Sequence, residues 1–346
     1  MAPIDMLHKI KSFYTKEPMI TASVITPRTA AALSVAFTTL YVLPFYLSKS
    51  TRPSPSVNRD APSVIRARTR AVTSACILTT IIDILIINQY GKSTLLETVR
   101  LLGWWPIDVL AIGKTLLLCS ILFIGPLFEA GIVEGGWRHW IRGTHVRETL
   151  SSWTGYRALV VGPVTEEIVF RSVLIPLHLL AKMSPSRIVF LSPLYFGIAH
   201  LHHLYEFRLT HPEIPLLPAV LRTVLQFTYT SLFGFFAAFV YLRTGSLYAA
   251  MAAHSFCNWN GFPRFWGKVG VQAGAPIGLG SVKRDEDRTV ATPRRDASIA
   301  WTVAYYSLLV IGAYGFYVEL FPLTESKYAL AEFAKDVGKG KRGFWG

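Results

Sequence analysis

Charge is what this chain has least of. Only 16% of its 346 residues are Asp, Glu, Lys or Arg, against about 25% in an ordinary soluble domain. With 51% hydrophobic residues, that shortage excludes a large aqueous body and points to an integral membrane protein. Cysteine is scarce too. Cys76, Cys119 and Cys257 fall in apolar segments without metal-ligand spacing, which argues against a disulfide framework. No HExxH string and no repeat of 20–50 residues is found. The opening MAPIDMLHKIKSFYTKEP is not followed promptly by an apolar run with a small-residue cleavage site, so no cleavable signal is expected. The final GFWG carries no prenylation motif. Acidic residues are outnumbered, 21 against 35 Lys plus Arg, for a formal charge of +14. In a polytopic protein such an excess sits in short loops beside anionic headgroups, so the bilayer rather than nucleic acid is the expected partner.

What is present is a series of apolar runs near the roughly 20 residues that cross a bilayer. Thr29–Ser48, Ala71–Tyr90 (containing Asp83), Trp104–Phe128 (containing Asp108 and Lys114), Ala158–Ala181, the short Ile188–Leu201, Ala219–Leu242, Gly245–Pro263 and Ala297–Val318 give about eight helices. The reading is an all-α, multi-pass membrane domain spanning 1–346. It has an N-terminal segment 1–28, a basic loop 49–70, a mixed loop from Glu129 to Arg157, a core of 155–262, a solvated polar loop 264–296 and a basic tail 323–346. Basic residues fall in loops on both sides, so the positive-inside rule does not orient the chain.

Three polar strings interrupt the apolar runs. In VTEEIVFR, Glu166, Glu167 and Arg171 sit where each charge costs about 2.5–3.5 kcal/mol on insertion scales. Glu167 and Arg171 are four apart and share a helix face, so they can pair, which leaves Glu166 over. The string alone is equally compatible with a structural ion pair and with a functional group. FGIAHLHH places Phe196 and His200 four apart, with His202 and His203 at a helix end. HSFCN puts His254 and Asn258 on one face, where Asn commonly glues helices for about 1 kcal/mol. Together these are parts for activating water and stabilising a carbonyl oxyanion.

In combination and in this order, EExxxR, FxxxH and HxxxN resemble the type II CAAX prenyl endopeptidases, the Ras-converting branch of the CAAX-protease and bacteriocin-processing superfamily. The motifs cover roughly Gly155 to Phe262. The resemblance implies an intramembrane active site in the endoplasmic reticulum membrane and the removal of the last three residues from farnesylated or geranylgeranylated CAAX proteins such as Ras-like GTPases. It implies Glu166 as the base for water, with His200 assisting and His254 and Asn258 at the oxyanion. Glu167 and Arg171 would organise the site and Phe196 would shape it, with no cofactor and no metal. The prenyl chain would leave between helices into lipid, where each buried methylene is worth about 0.8 kcal/mol.

Three rivals are weighed. A zinc site from His200, His254 and a glutamate lacks the HExxH helix, and one carboxylate is already taken by the arginine. A thiol protease on Cys257 lacks the cationic surroundings that lower a thiol pKa. A non-catalytic transporter or helper could use Asp83 and Lys114 as a relay, but has no need of the His/Asn donors, and the internal repeats of transporters are missing. Asp83 and Lys114 then read more simply as a helix-pairing contact or as interface residues.

Overall fold

The computed structural model describes residues 24–55, 58–270 and 299–333, and every regular element among them is helical. The all-α membrane architecture expected from hydropathy is the one found. Helix α1 (Pro27–Val42) starts where the Thr26 side chain accepts the Thr29 amide at 3.1 Å and Pro27 supplies a first residue that needs no amide partner. With Pro44–Leu47 it forms a 21-residue apolar stretch. Helix α2 (Pro62–Gly91) has 30 residues, about 45 Å at 1.5 Å each, against about 30 Å of hydrocarbon. The surplus carries Arg66, Arg68 and Arg70, so the basic loop expected to residue 70 is helical from Pro62 onward.

Asp108 does not interrupt a span. It caps α3 (Val109–Leu122), accepting the Ala111 amide at 3.0 Å. The expected span 104–128 breaks after Phe123, where the chain bends by 79° into Ile124–Val133. Pro126 lacks the amide that would reach the Leu122 carbonyl, so the ladder stops there. The mixed loop that follows is largely short helices, Trp137–Ile141 and Thr144–Ser151.

Helix α4 is a composite over residues 153–180. Two π-helical turns, Arg157–Val161 and Ile168–Val173, alternate with the α-helical pieces Trp153–Tyr156, Gly162–Glu167 and Leu174–Leu180. Helix α5 (Pro185–Ala199) is followed by α6 (His202–Thr210), α7 (Leu216–Thr244), α8 (Leu247–Asn260) and α9 (Ile299–Glu319). Among the described residues, four stretches are long and apolar enough to cross a membrane, namely 27–47, α2, α7 and α9, with a fifth if the bent pair is one span. The remaining three of the eight expected spans are α4, which continues as one helix through its π turns, and α5 and α8, which have only 15 and 14 residues. Those lengths give about 21–22 Å, short of the hydrocarbon thickness. Helix α5 packs on α7, and α8 lies between α3 and α7, while Phe190 and Ile198 of α5 remain exposed.

Small residues set the close approaches, as expected where lipid supplies no hydrophobic drive between helices. A Cβ on Gly234 of α7 would stand 2.5 Å from the Pro193 Cβ of α5, and one on Gly312 of α9 would stand 2.5 Å from the Ile121 carbonyl at the α3 bend. Gly113, by contrast, faces open space. Gly234→Ala is therefore expected to destabilise by about 1–3 kcal/mol through overpacking, read as a lowered Tm in detergent, while Gly113→Ala leaves Tm unchanged or slightly raised.

The segment after α9 docks on the end of α7. Arg243 donates to Thr324 Oγ1 at 2.8 Å and to the Phe321 carbonyl at 2.9 Å, and the Leu330 amide meets the Leu242 carbonyl at 2.8 Å. Arg264, expected to open a solvated loop, is instead paired with Glu129 at 2.9 Å. The rest of that polar loop from residue 271, most of the N-terminal segment and the tail from 334 lie outside the described residues.

Candidate active site

The site is built on α4, and its geometry starts from a proline. Pro163 has no amide to offer the turn before it, and the Gly162 amide reaches back five residues to the Arg157 carbonyl. The Ala158 and Leu159 carbonyls, which Pro163 would have served in a π or an α ladder, are taken by α8. Asn258 Nδ2 donates to Ala158 O at 2.9 Å, and Ser255 Oγ to Leu159 O at 2.8 Å. These two side chains supply the donors that Pro163 cannot, and so fasten α8 to α4 next to the glutamates. From the other side Tyr41 of α1 hydrogen-bonds Thr165 at 3.1 Å, and the Cys76 thiol of α2 donates to the Thr165 carbonyl at 3.5 Å.

Glu167 and Arg171 form the expected pair, Nε to Oε2 at 3.0 Å, with side chains 0% and 1% exposed. The contact is an ion pair lying off the hydrogen-bond line, and neither terminal amine of Arg171 has a hydrogen-bond acceptor among the described residues. The guanidinium instead lies over Phe196 at 4.8 Å and Phe233 at 5.7 Å. Ring faces give a desolvated cation real stabilisation, so Phe196 is a platform for Arg171 as well as a wall.

His254 was not expected between the glutamates. Its Nδ1 is 2.7 Å from Glu167 Oε1, and its Nε2 is 3.6 Å from Glu166 Oε2. Since Glu167 is acceptor-only beside the arginine, Nδ1 carries a proton and donates it to Glu167, which leaves Nε2 to face Glu166. Glu167 thus serves two partners, and Glu166 has, among the described residues, a lateral ion-pair contact with His254 alone. The Glu166 side chain is 20% exposed where Glu167 is sealed. Phe233 packs on the His254 ring at 4.5 Å.

His200 ends α5, with Nδ1 2.8 Å from the Phe196 carbonyl and its ring 4.7 Å from that of Phe196, which is itself 6.2 Å from the His254 ring. The three motifs therefore converge from α4, α5 and α8. Asn258 reaches the same wall, with one of its two amide protons committed to Ala158. Thr165, Tyr41, Ser255 and Phe233 were not singled out from the sequence. Of these only Ser255 had a visible cue, the unserved carbonyls implied by Pro163.

Asp83 and Lys114 are not joined by an ion pair among the described residues. Asp83 is fully buried, with neither oxygen partnered there. His202, His203 and Glu206 have ligand atoms within 4.8 Å of one another, the one such trio of metal-ligating side chains among the described residues. Its charge is already matched, because Arg68 lies 2.6 Å from Glu206 and Arg59 3.6 Å. Burial alone would raise the Glu206 pKa, but the hydrogen bond from His203 and the charges of His203, Arg68 and Arg59 hold this carboxyl well below the usual range. A cation would have to displace those partners. Glu166, His200 and His254 are not part of the trio.

Residues 148–260 match the family described as type II CAAX prenyl endopeptidase Rce1-like. The chain is 38% identical over 238 residues to the probable CAAX prenyl protease 2 of Schizosaccharomyces pombe, covering 69% of this chain and 83% of that protein. It is 35% identical over 236 residues to human CAAX prenyl protease 2, covering 64% and 68%. With the Arabidopsis thaliana CAAX prenyl protease 2 it shares 43% identity over 118 residues, 34% of this chain and 38% of that one. No solved structure matches. The chain belongs to the type II CAAX prenyl endopeptidases, a family of membrane proteases.

Proposed function

We propose that the chain is an intramembrane endopeptidase of the endoplasmic reticulum that removes the C-terminal tripeptide from prenylated CAAX proteins, without a metal or cofactor. One observation carries the reading. Of two adjacent glutamates, Glu167 is sealed and spent on Arg171 and His254, while Glu166 keeps an accessible carboxylate beside the outward nitrogen of that same histidine.

In this reading Glu166 takes a proton from water as the oxygen attacks the carbonyl of the prenylated cysteine, and His200 orients that water. The tetrahedral oxyanion meets the second amide proton of Asn258 and the Nε2–H of His254, which in this step is the imidazolium, protonated at both nitrogens, with its charge stabilised by Glu167. Glu166 then passes its proton to the departing amide nitrogen. The C–N bond breaks, and the products are a prenylcysteine carboxylate and a tripeptide amine. The test is tripeptide release from a farnesylated reporter by purified protein, with and without chelator. Release unaffected by chelator is expected, and loss of release on chelation would overturn the metal-free mechanism. Asn258→Ala should lower kcat by roughly 10²–10³. A fall in Tm with kcat preserved would instead reduce Asn258 to a clamp on Ala158.

A further inference from the structure

The substrate class in this reading ends in a free α-carboxylate three residues beyond the bond cut. An extended tripeptide spans about 10 Å, so a group that reads this carboxylate belongs at an edge of the site and not among the catalytic side chains. Four arginines gather at one edge of the site. Arg68 is paired at 2.6 Å with Glu206, and Arg157, on the same helix as Glu166, is paired at 2.8 Å with Asp60. Arg68 meets Glu206 Oε1, and Glu206 Oε2 is already met by His203 at 3.0 Å. Arg59 touches the same acids only at 3.6 and 3.8 Å, and its side chain is 44% exposed. Arg222 of α7 lies over Phe207 of α6 at 4.5 Å. The edge therefore carries a cationic surplus centred on Arg59, with Arg157 beside it.

The edge is tied to the catalytic groups by contact. His203, hydrogen-bonded to Glu206 at 3.0 Å, stands 5.7 Å ring to ring from His200. A structural clamp between α2 and α6 needs only Arg68 and Glu206. It gives no reason for a third, accessible guanidinium held by long contacts alone.

We infer that Arg59, assisted by Arg157, binds the C-terminal α-carboxylate of the substrate and so counts the three residues between the chain end and the bond that is cut. The inference rests on the peptidase reading above and adds the group that fixes its register. Guanidinium–carboxylate contacts are charge-assisted and frequently bidentate, and at about 1.5–3 kcal/mol they correspond to roughly tenfold to a hundredfold in binding.

The test uses two farnesylated peptides that differ only in ending as carboxylate or carboxamide, with full-length protein in phosphatidylcholine nanodiscs. Wild type should prefer the carboxylate by about tenfold to a hundredfold in kcat/KM. Arg59→Gln should bring the ratio of the two substrates to about one, and Arg59→Lys should restore part of it. The same ratio is read as Kd on Glu166→Gln, which separates binding from chemistry. The inference is overturned if wild type treats both peptides alike, if Arg59→Gln slows both by one factor, or if the Arg59 effect appears only with anionic lipid, as a headgroup site would behave. Absence of cleavage by wild type, with carboxylate still bound more tightly than amide, would sink the peptidase reading and leave the carboxylate site standing.

Discussion

Glu166→Gln is expected to abolish tripeptide release while leaving the protein folded. The substitution keeps the shape and removes the only proton acceptor among the two glutamates that is not already engaged by a guanidinium. General-base catalysis alone accounts for roughly 10²–10⁴ in rate. The residual activity should therefore sit at or below the floor of a tripeptide-release assay, with an unchanged Tm as the fold control. Substantial cleavage by this variant would move the base elsewhere, and His200 would be the next group to test.

Glu167→Ala should be the more damaging change to the fold. It leaves the Arg171 charge buried with only ring faces to answer it, and it frees the His254 ring from the bond that sets its tautomer. Removing one partner of a buried pair costs about 3–5 kcal/mol. A large drop in Tm should accompany loss of activity. Replacing both partners, Glu167→Met with Arg171→Met, should recover most of the stability, because an apolar pair of similar volume carries no stranded charge. Activity should stay absent, since His254 remains unanchored. Recovery of activity in the double variant would mean that neither side chain positions the histidine.

These two expectations differ in how much of their basis could be read without coordinates. The Glu167–Arg171 pair follows from four-residue spacing on one helix, a local rule. The His254–Glu167 contact joins residues 87 apart, and no local rule proposes it. The long apolar runs were legible because hydropathy depends only on composition over a window, and 27–47, α2, α7 and α9 lie where such runs occur. The exact number of crossings is not fixed by such runs, because a run of apolar residues does not say how its helix lies in a bundle. Helices α5 and α8, with 15 and 14 residues, are the short runs for which this matters. Asp108 looked like a charge within a span and is a cap, since an N-cap and an interior residue differ only in where the helix begins. The convergence of the three motifs on one site could be posed from residue types, but the wide turns of α4 that direct them leave no periodic trace in the sequence.

Those turns have a consequence for how the protein tolerates change. An α-helix advances about 100° per residue, and the extra residue in Arg157–Val161 sets the azimuth of everything after it. Deleting one residue there, with every motif intact, would swing Glu166 by about that angle away from His254 and lift the hooks of Ser255 and Asn258 off their carbonyls. The spacing upstream of Pro163 is therefore as much a part of the machinery as the side chains that follow it.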